Sequence, residues 1–307
     1  MPGSRLNPKY GVYAAPITFF NEDASLDLPS TLAHVQRMAV AGIAGLVIQD
    51  SNADLNHSEC MALVQAIRAH CNEIGHQDVQ LIVGCGTTSV QSTLDHIAEA
   101  RDSGADFALV LPPTPWIAAM NVPLLEGFFC DIAAKSSLPL LIYNFPGVSS
   151  SIDVSSDAII RVPYSVPSIN GLKSSCTSTG RLTRISATLW PLSSAALGGK
   201  SDFFDTSLFG IQGVISMLAN IAPKVHVRLL SLYRAGDLQG AKALQAKLAH
   251  ANSALTKVGA AGVKAVIAHY FGYGSARACR PLAYTTMGLG DEVLEIFAEL
   301  TRLEHSM

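Results

Sequence analysis

A lone lysine ends the short apolar stretch Ile169-Asn170-Gly171-Leu172-Lys173-Ser174-Ser175, near the middle of the chain. At a strand end lining a closed barrel, a lysine is partly desolvated. Its ammonium form is then disfavoured, its pKa falls, and the free amine can attack a ketone to form a Schiff base. Thirty residues upstream, Leu140-Leu141-Ile142-Tyr143-Asn144-Phe145-Pro146-Gly147 is a second continuous apolar run, closed by a polar aromatic and a Pro-Gly turn. If the two runs are neighbouring parallel strands, Tyr143 and Lys173 emerge at the same rim. A phenol within hydrogen-bond reach of an amine can carry protons during carbinolamine formation and carbon–carbon cleavage. Taken singly, Lys173 reads as a solvated turn residue and Tyr143 as a core aromatic. The pair is less easily read that way.

Such a pair needs strands to hold it. From Gly11 onward the chain alternates short apolar runs with amphipathic segments, and no composition break marks a linker. The pattern predicts strands at Gly11–Ala15, Gly45–Gln49, Leu81–Cys85, Phe107–Leu111, Leu140–Asn144, Ile169–Lys173, Asp202–Phe204 and Gly213–Met217. It predicts helices at Pro29–Ala41, Ser58–Ile74, Val90–Ser103, Val122–Ser136, Ser155–Val162, Thr179–Ala187, Thr206–Leu208 and Pro223–Ala235. Eight such alternations fit a (β/α)8 TIM barrel, with its active site at the C-terminal ends of the strands. An open doubly wound sheet is the structural alternative, but it calls for a glycine-rich phosphate loop after the first strand. That position reads Pro16-Ile17-Thr18-Phe19-Phe20. Helical segments at Leu238–Lys257, Gly262–Tyr270 and Asp291–His305 then form a C-terminal extension. The expected division is a barrel over 1–235 that carries the active site, and a helical region over 236–307 packed on it.

Local signals sharpen some boundaries. Leu28-Pro29-Ser30 puts a proline in a first helical turn, and Asn56-His57-Ser58-Glu59 offers cap residues with early negative charge. The serine-rich piece Ser149–Ser156 reads as a loop at the site plus the cap of the next helix.

Composition narrows the function class. The chain has 307 residues, 49% hydrophobic and 15% charged. Scarce charged surface favours an oligomer. A net charge of −3 without a long basic run argues against nucleic acid as partner. No apolar run is long enough for a membrane span, and Met1 to Tyr10 lacks a signal-peptide stretch. The six cysteines (Cys60, Cys71, Cys85, Cys130, Cys176 and Cys279) include no C-x-x-C pair, the usage of a reducing compartment. The expectation is a cytoplasmic protein. No pairing among the nine histidines suggests a metal site. Cys176, three residues past the lysine, reads as a small buried packer.

Several elements together resemble the dihydrodipicolinate synthase / N-acetylneuraminate lyase family. They are Gly11-Val12-Tyr13-Ala14-Ala15-Pro16-Ile17-Thr18-Phe19-Phe20, Tyr143-Asn144-Phe145-Pro146-Gly147, Gly171-Leu172-Lys173, and Gly213-Val214-Ile215-Ser216 with Ala219-Asn220. They occur in the family's order and at compatible spacing. The resemblance implies a (β/α)8 barrel with a C-terminal helical region, usually a homotetramer built as a dimer of dimers. It implies class I aldolase chemistry on pyruvate or another 2-oxo acid, with Lys173 as Schiff-base residue, Tyr143 as proton shuttle, and neither metal nor organic cofactor. It also implies that the carbonyl of Ile215 faces the substrate, and that Gly199 and Ser201 sit where substrate hydroxyls are contacted. In Gly198-Gly199-Lys200-Ser201-Asp202, Lys200 and Asp202 read as a solvated pair or loop-end caps.

The departures from the family pattern speak to the substrate. After the second strand the family carries Gly-Thr-Thr-Gly-Glu or Gly-Ser-Asn-Gly-Glu, whose amides and hydroxyls hold the substrate carboxylate. Here the loop reads Asp50-Ser51-Asn52-Ala53-Asp54. Ser51 and Asn52 keep suitable donors, while Asp50 adds a charge that repels an anion and Ala53 disfavours positive φ. Dihydrodipicolinate synthases place an arginine at the position of Val148 and a second tyrosine at that of Thr114, so both residues argue against that activity. Phe145 and Lys173-Ser174-Ser175-Cys176 look more like the fungal-type branch that cleaves 2-keto-3-deoxy sugar acids, or like 4-hydroxy-2-oxoglutarate aldolases. The resulting expectation is an aldolase acting on a small-molecule 2-oxo acid. Two alternatives stand beside it: a dihydrodipicolinate synthase, and a catalytically impaired relative that binds a ligand.

Overall fold

The computed structural model describes residues 7–49, 55–175, 178–189, 195–199, 211–278 and 291–307. Eight parallel strands follow one another around a closed barrel in chain order. They are β1 (Gly11–Ala14), β2 (Gly45–Ile48), β3 (Gln80–Gly84), β4 (Phe107–Val110), β5 (Leu140–Asn144), β6 (Ile169–Ser174), β7 (Ala195–Gly198) and β8 (Gly213–Ser216). The helices are α1 (Leu28–Val40), α2 (His57–Glu73), α3 (Val90–Asp102), α4 (Val122–Lys135), α5 (Ser156–Ser165), α6 (Thr179–Leu189), α7 (Pro223–Arg234), α8 (Leu238–Phe271) and α9 (Asp291–His305). A 3-10 segment at Thr114–Ala119, not predicted, follows β4.

Two compact units make up the chain, one chiefly Gln80–Gly199, the other chiefly Gly11–Val79 and Ser216–Met307. In the first, strands with fully apolar runs, such as Leu81-Ile82-Val83 and Leu140-Leu141-Ile142, are buried throughout. That is the signature of parallel strands covered on both faces. Over them lie Ile97 and Ala100 of α3, Phe129 and Ile132 of α4, Ile159 and Val162 of α5, and Leu182 and Ile185 of α6, all buried. In the second unit, Val35 and Met38 of α1, Leu63, Val64 and Ile67 of α2, and Val263, Val266 and Ile267 of α8 are buried.

Helix starts follow from short polar side chains. Asp27 accepts from Ser30 N with Pro29 in the first turn of α1. Asn56 and Glu59 form a reciprocal capping box on α2. Ser155 caps α5 through Ala158 N. The break expected between two tail helices is a kink inside α8, at Gly259, whose φ of 61° no ordinary helix residue adopts.

The seventh strand corrects the sequence reading. It is Ala195-Ala196-Leu197-Gly198, paired with β6 through Lys173↔Leu197 and Ser174↔Gly198. The expected strand Asp202–Phe204 and the expected short helix Thr206–Leu208 lie outside the described residues. Alanine and glycine have weak strand preference, so this run gives little local signal. Its pairing is set by a close approach: a Cβ on Gly171 would fall 2.3 Å from Ala195 O. Gly171→Ala is therefore expected to destabilise the fold by about 2–3 kcal/mol through overpacking. Urea denaturation measures this as a lower midpoint at unchanged slope.

Candidate active site

Tyr143 and Lys173 stand opposite each other in the β5–β6 register, followed by the pair Asn144 and Ser174. Lys173 Nζ lies 4.0 Å from the centroid of the Tyr143 ring, and each residue is only 2% exposed. The ring quadrupole attracts the ammonium form at this distance, and the neutral amine makes a weaker N–H contact with the same face. Phe145 packs beside Tyr143 with ring centroids 5.8 Å apart. Two apolar strands thus deliver one lysine nitrogen and one phenol to a single buried spot toward their C-terminal ends.

The neighbouring strands complete this side. Gly199, just past β7, donates its N–H to Ser174 O at 2.8 Å, and a Cβ there would fall 1.9 Å from Ser175 Oγ. Only glycine lets the chain pass this close to the exit of β6. Ile215, 1% exposed, stands near the C-terminal end of β8, which pairs with β7 through Leu197↔Gly213 and Gly198↔Val214. Four of the expected site residues therefore sit toward the C-terminal ends of β5, β6, β7 and β8. Ser51, Asn52 and Ser201 lie outside the described residues, as do Asp50, Ala53, Lys200, Asp202 and Cys176.

Asn144 holds the exit of β5. Wholly buried, it donates from Nδ2 to Asp153 Oδ1 at 2.9 Å and accepts at Oδ1 from Val154 N at 3.0 Å. Its backbone carbonyl accepts from Ser175 N at 2.9 Å. Arg181, in the first turns of α6, bonds and ion-pairs to Asp153 Oδ1. Burial alone would raise the Asp153 carboxyl, but hydrogen bonds from Arg181 and Asn144 outweigh it and hold the group below the usual range. Between Asn144 and Asp153 the loop turns sharply, with Ser150 and Ser151 at φ of 51° and 65°. Ser149, fully buried, sits within hydrogen-bond distance of the carbonyls of Phe145 (2.8 Å) and Ile152 (3.0 Å) and ties the turn closed. Val148 is 40% exposed on this loop.

In the second unit, a cleft lined by Ala15, Pro16, Ile17, Thr18, Gln49 and Leu55 lies at the C-terminal ends of β1 and β2. Gln49 takes positive φ (57°), and its Nε2 donates to Leu55 O at 3.3 Å. Asn220 braces this rim: Oδ1 accepts from Ile17 N at 3.0 Å and Nδ2 donates to Ala15 O at 2.8 Å. Oδ1 also contacts His34 Nε2 at 2.8 Å, and His34 Nδ1 lies 2.8 Å from Tyr273 Oη, which accepts from Arg37 Nε. With Arg37 donating to the phenol, the phenol donates to Nδ1, and Nε2 carries the ring's proton. Burial first, then the Arg37 charge, pushes His34 down to about 3. His226, buried between Ser216 Oγ (3.3 Å) and Ala222 O (2.7 Å), is lowered to about 4 by burial.

Both histidines are neutral in the fold and protonate near pH 6.5 when unfolded. Their folded pKa values are depressed. The stability they contribute is thus complete above about pH 6.5 and is lost as pH falls toward 4 and then 3. The expected loss approaches about 1.4 kcal/mol per pH unit for each histidine. Urea midpoints from pH 7 to 5 measure it, and His226→Gln should flatten the slope by about half of that two-histidine term.

None of His34, Arg37, Tyr273, Asp153 or Arg181 was singled out from the sequence. A histidine and an arginine three apart, among the inward residues Thr31, Val35 and Met38 of α1, were a usable signal for the first network. Asp153 and Arg181 are 28 residues apart and gave none. Among the described thiols, Cys60, Cys71 and Cys85 are buried and unbridged while Cys130 is half-buried, and burial pushes Cys60 up to about 12. Cys279 lies outside the described residues. No described helix is long and apolar enough to cross a membrane.

Comparison with known proteins agrees with this geometry. The Dihydrodipicolinate synthetase family matches residues 8–298. A protein of Emericella nidulans named as a 4-hydroxy-2-oxoglutarate aldolase, mitochondrial, is 36% identical over 97% of this chain and 96% of its own. An Aspergillus niger protein named L-threo-3-deoxy-hexylosonate aldolase is 33% identical over 100% of this chain and 99% of its own. The crystal structure of YagE from Escherichia coli K12, in complex with pyruvate, superposes with a TM-score of 0.83 at 25% identity, covering 97% of this chain and 98% of that one. The mitochondrial designation of the Emericella relative, shared by one from Coccidioides immitis, overturns the cytoplasmic expectation. That expectation rested on thiol usage and on the lack of a secretory stretch or membrane span, none of which reports a mitochondrial address. With the family's match running over nearly the whole length and its barrel and Tyr–Lys pair in place, the chain belongs to the dihydrodipicolinate synthetase family.

Proposed function

We propose that this protein is a class I aldolase that cleaves or forms a carbon–carbon bond of a 2-oxo acid, with pyruvate as product or donor. The observation that carries the reading is the buried contact of Lys173 Nζ on the Tyr143 ring, fixed by the register of two adjacent strands. In this reading Lys173 attacks the C2 ketone, and loss of water leaves a protonated imine. Tyr143 takes the proton of the C4 hydroxyl as the C3–C4 bond breaks. The aldehyde departs, and the bonding electrons pass into an enamine stabilised by the imine nitrogen. Protonation at C3 and hydrolysis return pyruvate and free Lys173. Ser51 and Asn52 are the carboxylate donors, Gly199 and Ser201 meet substrate hydroxyls, and the Ile215 carbonyl faces the substrate. Neither metal nor organic cofactor takes part.

The names of the Emericella and Aspergillus relatives support a 4-hydroxy-2-oxoglutarate or 2-keto-3-deoxy sugar acid as substrate. They favour these over the synthase reaction, from which Val148 and Thr114 also point away. The same likeness supports a mitochondrial setting. A barrel over 1–235 bearing the site, a helical region over 236–307 and a homotetramer arranged as a dimer of dimers complete the reading. The test is pyruvate release from each candidate acid, with and without EDTA. Release from at least one, unchanged by EDTA, is expected. No release from either class, or condensation with aspartate semialdehyde instead, overturns the assignment.

A further inference from the structure

The loops that follow β5 and β6 are tied to each other away from the reacting groups. Asp153 lies near the end of the loop that leaves Tyr143, and Arg181 lies in the first turn of the helix that follows Lys173. Their side chains pair on Asp153 Oδ1, the same oxygen that receives Asn144 Nδ2. Asn144 in turn grips both loops, through Val154 N on one side and Ser175 N on the other. A chain of direct contacts thus runs Arg181–Asp153–Asn144, which adjoins Tyr143, and on through the Asn144 carbonyl to Ser175, two residues past Lys173.

We propose that Asp153 and Arg181 are positioning residues for the aldolase reaction: their clasp holds Asn144, and through it the β5 and β6 exits, so that the Tyr143 phenol and the Lys173 amine keep their working separation. The proposal rests on the function given above. Two features set the clasp apart from an ordinary surface ion pair. Arg181 and Asp153 keep 26% and 40% of their side-chain surface in water, so as an isolated pair they would add little to stability. Yet Asp153 also bonds a wholly buried amide, so a change at the rim reaches the core beside the site. The intervening turn, with two consecutive serines at positive φ, is strained and needs fixed ends to persist. Small misplacements of reacting groups carry large rate penalties, whereas stability responds weakly to a half-exposed pair.

The test compares Arg181→Ala, Arg181→Lys, Asp153→Ala and Asp153→Asn with the parent. Three readouts are taken: steady-state pyruvate release, the rate of borohydride-trapped adduct formation with pyruvate, and the melting temperature. For both alanine variants kcat is expected to fall about 10- to 100-fold and trapping to slow in step, with KM within about threefold. The melting temperature should drop by no more than about 3 °C. Arg181→Lys should recover much of the rate by restoring the charge, and Asp153→Asn should recover part of it by keeping the acceptor for Asn144. An unchanged kcat in both alanine variants, or a kcat loss that tracks melting temperature without rescue, overturns the proposal. Should an alanine variant not fold, its conservative partner decides by the same criteria. A parent that forms no adduct with pyruvate would instead count against the proposed function.

Discussion

Lys173→Met is expected to lower kcat by at least about 10⁴-fold and to leave the barrel folded. Lys173 is 2% exposed, with its stem in the strand and its nitrogen on the Tyr143 ring. Methionine fills a similar volume without strain and places a polarizable sulfur where the ring can accept it. The structural cost is thus small. The chemical cost is total for the covalent route, because the variant has no nitrogen at this position to form the imine. Whatever turnover remains comes from binding and orientation alone. Circular dichroism and the melting temperature check the fold, and pyruvate release checks the rate. Loss of activity together with loss of fold would not support the assignment; loss of activity from a well-folded variant does.

Tyr143→Phe is expected to cost about 10²- to 10³-fold in kcat while KM changes little, since a positioned acid–base group contributes in that range. The ring supplies the face on which Lys173 rests, and its packing against Phe145 involves the ring alone. Phenylalanine preserves both contacts. What it removes is the hydroxyl that takes the proton of the breaking C–O–H group and returns one at C3. Adduct formation with pyruvate should slow less than overall cleavage, because the water released on imine formation can itself carry carbinolamine protons, whereas cleavage needs a base held at the C4 hydroxyl. Equal slowing of both steps would move Tyr143 from cleavage to imine formation. Activity within a few-fold of the parent would remove it from the mechanism.

Much of this arrangement was legible in the sequence, for identifiable reasons. Fully apolar runs such as Leu140-Leu141-Ile142 announce strands buried on both faces, and caps such as Asn56 with Glu59 mark helix starts within a residue or two. Tyr143 and Lys173 could be matched because each closes such a run, so that the register alone brings them together. The seventh strand escaped because Ala195-Ala196-Leu197-Gly198 carries no β-branched or aromatic residue. It is a strand through its pairing with Gly171 and Leu172, which is tertiary information. The clasp of Asp153 and Arg181 and the network around Asn220 were hidden for a related reason. Their partners are 28 residues apart in one case and as many as 239 in the other, between His34 and Tyr273. An aspartate near a loop end and an arginine on a helix are ordinary surface residues until the fold pairs them and sets the aspartate on a buried amide. The location drawn from composition failed differently, since it treated redox environment as an address.

The most direct measurement is borohydride trapping with pyruvate, read by intact mass and peptide mapping. A single reduced pyruvyl adduct is expected, on Lys173, absent from Lys173→Met and formed by Tyr143→Phe at a reduced rate. No adduct from folded protein at high pyruvate, or an adduct on a different lysine, would contradict the Schiff-base assignment and with it the proposed aldolase function.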